Sequence, residues 1–318
     1  MESQTQMRSW QQCCFWLLFL VIYALSLLPL CVHYAFSYVL YAVVYHVVGY
    51  RRKIVWKNLS DSFPEKSEEE RRSIERAFYH WFSDYIMETL KLFSMSKEQM
   101  RRRMVFKGAE VVQQCIDRGQ GVALYLGHYC NWEWVSSIPL WLGSNDYAGS
   151  QVYHVLESPV MDRLLLYLRH RMGPDNVPMA SVLRYILQNR EARRPVVMGF
   201  IADQVPFWNN IGDWLTFLNH PQTPVLTGTE RIARRFDMAC VYIDIRRVRR
   251  GYYEAEFQLM TDSPKDVDEL SITRDYFRRL EQSIRRQPHL WLWTHNRWKR
   301  TREEYDRLID PETGKLKF

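Results

Sequence analysis

The first pattern along the chain is an apolar stretch from Cys13 to Tyr50 that contains no Asp, Glu, Lys or Arg. A helix needs about 20 apolar residues to cross a bilayer, so the sequence predicts a membrane span over residues 13–33, with a natural kink at Pro29. The second half of the stretch is rich in Tyr and His, and we expect it to lie along the interface or to pack on the folded domain. Its apolarity continues beyond the length of a signal peptide, so we expect the stretch to be retained.

Basic residues follow the apolar stretch directly. Arg51, Arg52 and Lys53 come after it, whereas the preceding residues offer only Arg8 and the terminal amine. Positive charge favours the cytoplasmic side of a span, so the sequence predicts a single-pass protein with an anchor over residues 1–50 and a cytosol-facing domain over residues 51–318. The alternative is a buried core hairpin with a chance basic flank.

The remaining pattern alternates between helical and strand-like periods. Ser67 predicts the N-cap of a long amphipathic helix, and residues 121–126, GVALYL, predict a buried strand that enters a turn at Gly127. Later segments are assigned from the same helical and strand-like periods. We predict helices over NWEWVSSIPLWLG, from Ser158 to Gly173, over ASVLRYILQNR, over PVLTGTERIARRF and near residues 273–287. We predict strands near SQVYHV, over PVVMGFIAD and in a hairpin that turns at residues 249–251.

This alternation predicts an α/β fold with a mixed central sheet flanked by helices, preceded by the N-terminal membrane helix. The 318 residues are enough for one sizeable α/β core, and 47% hydrophobic residues argue against disorder. The sequence shows no internal repeat and no low-complexity tract.

Charge and cysteine content restrict the possible partners. A formal net charge of +7 favours an anionic partner such as a phospholipid or an acidic protein. The six cysteines show no CxxC pair and no zinc-type spacing, so we expect reduced thiols and no metal.

His128 is the main candidate for chemistry, because it follows a predicted buried strand, where α/β sheets place reacting groups. Glu133 lies five residues further on. The two side chains can meet if His128 lies in the turn and Glu133 in the first turn of the next helix. Glu133 would then orient the imidazole, leaving its other nitrogen free to deprotonate a hydroxyl.

The run GHYCNWE, residues 127–133, resembles the HX4D/E signature of glycerolipid-type acyltransferases. Its NWE ending is similar to the GHxGNWE form of the lipid A late acyltransferase family, the lauroyl and myristoyl transferases. The likeness extends over nearly the whole chain, through KNLSDSFPEKS, Ala202-Asp203-Gln204 and WLWTHNRWK. Cys130 departs from the family pattern, which commonly has Gly there.

The resemblance implies transfer of a fatty acyl chain from an acyl carrier protein thioester, or from acyl-CoA, to a hydroxyl of a phosphorylated glycolipid, the lipid A precursor. It implies catalysis at the bacterial inner membrane without a cofactor or nucleic acid. His128 and Glu133 match the family's base and relay partner. Asn131, Asp203, Gln204 and an arginine are the expected substrate-binding residues; Arg171 is our choice for the arginine and Arg169 the alternative.

Several alternatives remain open at this level. The acceptor could be another lysophospholipid, aminolipid or glycolipid, water could replace it as in a thioesterase, or the chain could be a non-catalytic lipid-binding module. Cys130 could be a nucleophile. The basic groups Arg246, Arg247, Arg249 and Arg250, or Arg297, Lys299 and Arg300, could steer an anionic substrate. Trp291, Trp293 and His295 alternate as in a strand and are interpreted as core or interface.

Overall fold

The computed structural model describes residues 7–143 and 146–310. Its α-helices are α1 Ser9–Leu27, α2 Leu30–Tyr41, α3 Arg52–Ser62, α4 Glu68–Leu92, α5 Lys97–Arg103, α6 Ala109–Asp117, α7 Pro159–His170, α8 Val182–Glu191, α9 Gly228–Phe236, α10 Ser271–Arg286 and α11 Arg302–Leu308. Its strands are β1 Met104–Lys107, β2 Val122–Leu126, β3 Ala148–Tyr153, β4 Asp175–Pro178, β5 Val196–Ile201, β6 Asp213–Phe217, β7 His220–Val225, β8 Ala239–Arg249 and β9 Tyr252–Thr261.

The described strands form a mixed seven-stranded sheet in the order β1-β9-β8-β2-β5-β3-β4, and β6 and β7 form a separate hairpin. Within the seven-stranded sheet, neighbouring strands are parallel except β8 and β9, which form the predicted hairpin. Helices flank the sheet, so the predicted α/β fold class is confirmed.

The centre of the sheet positions two chain segments side by side. Strand β2 is buried at every residue and pairs in parallel with β5, with Leu126 opposite Ile201. Because both strands point the same way, the residues two positions beyond this pair, His128 and Asp203, leave the same edge of the sheet at the same level.

Helix α4 forms as its sequence predicts. The Ser67 side chain accepts a hydrogen bond from the Glu70 backbone N–H at 3.2 Å, and the Glu70 carboxylate accepts one from the Ser67 N–H at 2.7 Å. This capping box satisfies two N–H groups that the first turn would otherwise leave without partners. The aromatic residues of the helix, including the buried Phe78 and Trp81, pack in the core.

The N-terminal apolar stretch folds as two helices rather than one. Helix α1 ends at Leu27, and α2 begins at Leu30 directly after Pro29, then continues as a π-helix over Ala42–Val47. Both segments are long and apolar enough to be candidate membrane spans by length and composition. The predicted kink at Pro29 is therefore a complete break, and it divides the predicted span over residues 13–33.

Three local predictions need correction. The start of PVLTGTERIARRF belongs to strand β7, and the helix begins only at Gly228. The segment after Glu133 is a 3₁₀-helix, Trp134–Leu140, which contains Pro139. The segment around Trp291 has the alternating pattern of a strand but is not one. It forms an isolated β-bridge between Trp291 and Tyr129.

Candidate active site

His128 and Asp203 meet at the carboxyl edge of β2 and β5. The Nδ1 atom of His128 lies 2.6 Å from Asp203 Oδ1, and the backbone N–H of His128 donates to Asp203 Oδ2 at 2.9 Å. The His128 side chain is 20% exposed, whereas that of Asp203 is 1% exposed. A buried carboxylate therefore holds one nitrogen of an imidazole that still reaches solvent.

The charge state of Asp203 determines the tautomer of His128. Burial alone would raise the pKa of the Asp203 carboxyl, but the charge of His128, together with hydrogen bonds from His128 and Trp291, lowers this pKa to about 2. The carboxylate is ionised at neutral pH and can only accept hydrogen bonds. The proton of a neutral His128 ring therefore lies on Nδ1, and Nε2 carries a lone pair that can accept a hydrogen bond or a proton.

Residues 290–292 of the C-terminal segment hydrogen-bond to Asp203 and to the turn that carries His128. The Trp291 indole Nε1–H donates to Asp203 Oδ2 at 2.8 Å. The Leu292 N–H donates to the His128 carbonyl at 3.1 Å, and the Cys130 N–H donates to the Leu290 carbonyl at 2.8 Å. The indole thus fixes the carboxylate, a role that the strand-like pattern of the sequence did not indicate.

Gly127 allows the close packing of this turn. A Cβ atom at this position would lie 2.6 Å from Leu280 Cδ1 and 3.3 Å from Asp203 Oδ2. A side chain at this position would therefore force the buried Leu280 side chain to shift.

Glu133 does not occupy the predicted place beside the imidazole. Its carboxylate accepts two hydrogen bonds from Arg169, from Nε at 2.9 Å and from Nη2 at 2.7 Å. The Glu133 side chain is 6% exposed and that of Arg169 is 22% exposed, which makes this a largely buried bidentate pair. The hydrogen bond that the sequence assigned to Glu133 on His128 is made by Asp203 instead.

Among the predicted substrate-binding residues, Asp203 and Gln204 contact His128, whereas the two candidate arginines bond to other residues. The Gln204 amide NH2 donates to His128 Nε2 at 3.3 Å, so the lone pair of this nitrogen accepts a hydrogen bond from Gln204. Arg171 donates to the Met95 carbonyl at 2.9 Å, and the alternative, Arg169, is the arginine that contacts the GHYCNWE run through Glu133.

The Asn131 side chain is fully buried, and both ends of its amide have partners. Its Nδ2 atom donates to Glu88 Oε2 at 2.8 Å, and its Oδ1 atom accepts from the Trp134 N–H at 3.2 Å. Any contact of Asn131 with a substrate would therefore involve its backbone.

Glu88 of α4 is the centre of a buried polar cluster that the sequence did not reveal. Its carboxylate accepts hydrogen bonds from Tyr34 at 2.8 Å, Tyr253 at 2.7 Å and Asn131. Burial raises the pKa of Glu88, although these hydrogen bonds oppose the change. The cluster connects the GHYCNWE turn to apolar helix α2.

The backbone conformation of Cys130 explains why its position favours glycine. Cys130 has φ +54°, in the left-handed region that a side chain disfavours. Its thiol is fully buried against the Ile245 carbonyl, and burial raises the pKa of this thiol well above its ordinary value. A protonated, buried thiol is a poor nucleophile, so the site does not favour the Cys130 nucleophile alternative.

This conformation gives a stability prediction for Cys130. We expect Cys130→Gly to change the free energy of unfolding by less than about 1 kcal/mol, because relief of the left-handed strain offsets the lost thiol packing. Cys130→Val keeps a similar volume but adds a β-branched residue at positive φ, and we expect it to be clearly less stable. Thermal or denaturant unfolding of the three proteins tests this order, and a more stable Val variant would contradict it.

The basic groups proposed for steering are mostly structural. Arg247 and Arg250 both pair with Asp84, and Arg246 pairs with Asp244. Arg297 is fully buried, and burial lowers its pKa to about 10.

Two further groups of this set have local partners. Arg249 stacks on the Tyr252 ring, and Arg300 donates to the Pro206 carbonyl. Within the described residues, no group of three His, Cys, Asp or Glu side chains could hold a metal ion.

The fold and the site together define a class. An α/β sheet whose carboxyl edge carries a partly exposed imidazole, with a buried carboxylate on its other nitrogen, is typical of enzymes that remove a proton from a hydroxyl. Comparison with protein families gives a more specific result. Residues 1–300 match the family described as bacterial lipid A biosynthesis acyltransferase, and the chain belongs to this family. No curated protein matches the chain significantly.

Membership confirms the resemblance that GHYCNWE and the other motifs indicated. It implies an acyltransferase with an acyl donor and a lipid A-type acceptor. Together with the two apolar N-terminal helices, it indicates a membrane location.

Proposed function

We propose that this protein transfers a fatty acyl chain from an acyl carrier protein thioester to a hydroxyl of a lipid A precursor, with His128 as general base. The observation that carries this proposal is the His128–Asp203 pair, which leaves the Nε2 lone pair at the partly exposed side of the ring. A thioester is already activated, so the protein mainly has to align the hydroxyl, remove its proton and stabilise an oxyanion.

The reaction then proceeds in two proton transfers. Nε2 of His128 takes the hydroxyl proton while the oxygen attacks the thioester carbonyl carbon. Asp203 stabilises the resulting imidazolium through Nδ1. When the tetrahedral intermediate collapses, the carbon–sulfur bond breaks and the imidazolium returns the proton to the leaving sulfur. The Gln204 NH2 group donates to Nε2 at 3.3 Å, and the acceptor hydroxyl would replace it as the hydrogen-bond donor at this nitrogen.

Glu133 takes a supporting part in this proposal. Its pair with Arg169 joins the GHYCNWE run to helix α7, and the hydrogen bonds of Asn131 fix the intervening turn. A rigid turn at this point would direct its backbone N–H groups toward the developing oxyanion. We assign Glu133, Arg169 and the Asn131 side chain as positioning residues, and we propose that Arg171 supports α7 through Met95.

We place the protein at the bacterial inner membrane with the acyltransferase domain at its cytoplasmic face. The positive flank of Arg51, Arg52 and Lys53 supports this orientation. The net charge of +7 is complementary to an acidic carrier protein and to a phosphorylated acceptor.

The central test is acyl transfer by the purified full-length protein, given acyl carrier protein thioesters, acyl-CoA and a panel of lipid acceptors. We expect His128→Ala to lower the rate at least about 100-fold, the usual contribution of a general base. His154→Ala is the matched control, since this imidazole is exposed and its contacts are with the neighbouring Val155 carbonyl and the Phe207 ring, not with His128 or Asp203.

Undiminished turnover in His128→Ala would exclude this mechanism. Transfer to no acceptor by the wild-type protein would favour a lipid-binding module, and release of free fatty acid would favour a thioesterase. Preference for acyl-CoA over the carrier protein thioester would change the assigned donor.

A further inference from the structure

Helix α2 packs along α4 and is held there by polar contacts. The Tyr34 hydroxyl donates to Glu88 at 2.8 Å, and the Ser37 hydroxyl donates to Asp84 at 2.8 Å. Both acids are buried in the domain. Removing α2 from this place would leave both buried acids with fewer hydrogen-bond partners, which is unfavourable. Helix α2 therefore stays on the side of the membrane that the domain occupies.

One side of helix α1 contacts the domain at three points between Phe15 and Ser26, while most of its residues are exposed. Near its start, the Arg163 guanidinium of α7 lies 4.6 Å from the Phe15 ring centroid. One turn later, the Phe19 and Tyr167 rings are 4.8 Å apart. At its end, the Lys91 ammonium donates to the Ser26 carbonyl at 2.8 Å, which satisfies a group that the helix terminus leaves open.

These contacts leave little of α1 free to cross a bilayer. Between Phe15 and Ser9, the first residue of α1, the helix extends only about 9 Å, at about 1.5 Å per residue. The hydrocarbon core of a bilayer is about 30 Å thick. A full crossing would require α1 to leave α7, or would place Arg163 in the hydrocarbon.

The outer face of α1 is nevertheless strongly apolar. Trp16 is 53% exposed, Leu17 66% and Leu20 62%. The outer face of α2 and of the π-helix that follows it is also apolar, with exposed Phe36, Val39, Val43 and Val47 at helical spacing. Exposed apolar patches of this kind mark membrane or protein interaction sites, and the other side of each helix is covered by the domain.

Two further exposed apolar side chains lie close in sequence to residues that contact α1 or His128. Met161 is 46% exposed and lies two residues from Arg163, which contacts Phe15. Phe207 is 59% exposed and lies three residues beyond Gln204, the neighbour of His128 Nε2. Exposed apolar side chains are therefore present both on α7, which packs on α1, and just beyond the strand edge that carries Asp203.

We propose that α1 and α2 lie in the plane of one leaflet of a lipid bilayer, without crossing it, and that Met161 and Phe207 insert beside them. Both ends of α1 are then on the same side of the membrane as the domain. This geometry places the carboxyl edge of the sheet at the lipid surface, so a lipid acceptor reaches His128 without leaving its leaflet. The assignment of this side as the cytoplasmic one rests on the proposed function, but the attachment to a single side of the membrane does not.

Site-directed labelling distinguishes this geometry from the single crossing that the sequence predicts. The full-length protein with Cys13, Cys14 and Cys31 replaced by Ala keeps only the buried cysteines, and it receives one new cysteine at a time. Ser9→Cys reports on the start of α1, and Lys57→Cys reports on the domain, where this side chain is 74% exposed. Spheroplasts and inside-out vesicles are treated with a membrane-impermeant maleimide.

We expect both cysteines to react in inside-out vesicles and neither to react in spheroplasts. Reaction of Ser9→Cys in spheroplasts while Lys57→Cys reacts only in inside-out vesicles would establish a crossing and overturn the proposal. Reaction of Ser9→Cys only after detergent would place this end inside the bilayer and would overturn it too. Reaction of both cysteines in spheroplasts alone would retain single-sided attachment but would refute the cytoplasmic location.

A second measurement tests insertion at the reaction centre. A fluorophore on Phe207→Cys is compared with one on Lys265→Cys, whose side chain is 56% exposed and pairs with Asp237 just before β8, at the opposite edge of the sheet. Vesicles of phosphatidylethanolamine and phosphatidylglycerol carry nitroxide-labelled lipid. We expect quenching at residue 207 and little at residue 265; equal quenching at both positions would refute the inserted edge. Neither result requires acyl transfer.

Discussion

Asp203→Asn is expected to lower the acyl-transfer rate by about 100-fold or more, while the protein remains folded. Three N–H groups converge on this carboxylate, from the His128 ring, the His128 backbone and the Trp291 indole. An asparagine offers one accepting oxygen and a donating NH2 group. Its NH2 group would face a donor, so the imidazole would lose the hydrogen bond that keeps the proton on Nδ1.

The rate of Asp203→Asn should be compared with that of Asp162→Asn. Asp162 is also buried and accepts a backbone hydrogen bond, from Leu156 at 2.9 Å, but it is not a partner of His128. We expect the control to retain a rate close to that of wild type. A fully active Asp203→Asn protein would show that Asp203 does not orient the base.

The second large effect concerns stability. We expect Glu133→Gln and Arg169→Gln each to lower the free energy of unfolding by about 3 kcal/mol, the lower end of the range for breaking a buried ion pair, since Arg169 keeps some exposure. Each substitution leaves one buried charge without its bidentate partner. Denaturant unfolding of both variants measures this loss.

A double variant tests whether Glu133 acts through Arg169. Glu133→Leu combined with Arg169→Met removes both charges, so its loss of stability should be smaller than the sum of the two single losses. If Glu133 were itself the relay partner of His128, Glu133→Gln would reduce the rate far more than Arg169→Gln at equal stability. Similar rate losses in the two variants would support a shared positioning role.

The sequence was sufficient for the parts of the site that depend on local pattern. The apolar run of β2 between glycines predicted a buried strand, and His128 lies directly beyond it as expected. The left-handed conformation of Cys130 was not visible in the pattern, but the glycine that the family commonly has there was a sign of it.

Sequence reasoning assigned the wrong hydrogen-bond partner to His128, and the reason is topological. Glu133 is close to His128 in sequence, which favours it as the predicted partner, whereas Asp203 is 75 positions away. The two strands that carry His128 and Asp203 are neighbours, although β3 and β4 lie between them in the chain. Strand order is decided by tertiary packing, which local periodicity does not encode.

The polar network around Glu88 was missed for a related reason. Its partners Tyr34, Asn131 and Tyr253 come from three distant segments. In the sequence, nothing distinguishes Glu88 from the other charged residues of helix α4. Only the docking of α2 on α4 reveals that it is buried.

The account depends most directly on the tautomer of His128. Nitrogen-15 NMR of the histidine-labelled protein at neutral pH, with the His128 signals assigned by their absence in His128→Ala, reports which ring nitrogen carries the proton. We predict a protonated Nδ1 and an unprotonated Nε2 in the wild-type protein and in Glu133→Gln, but not in Asp203→Asn. A proton on Nε2 of the wild-type neutral ring would contradict the account, because that nitrogen could not then accept the proton of a hydroxyl.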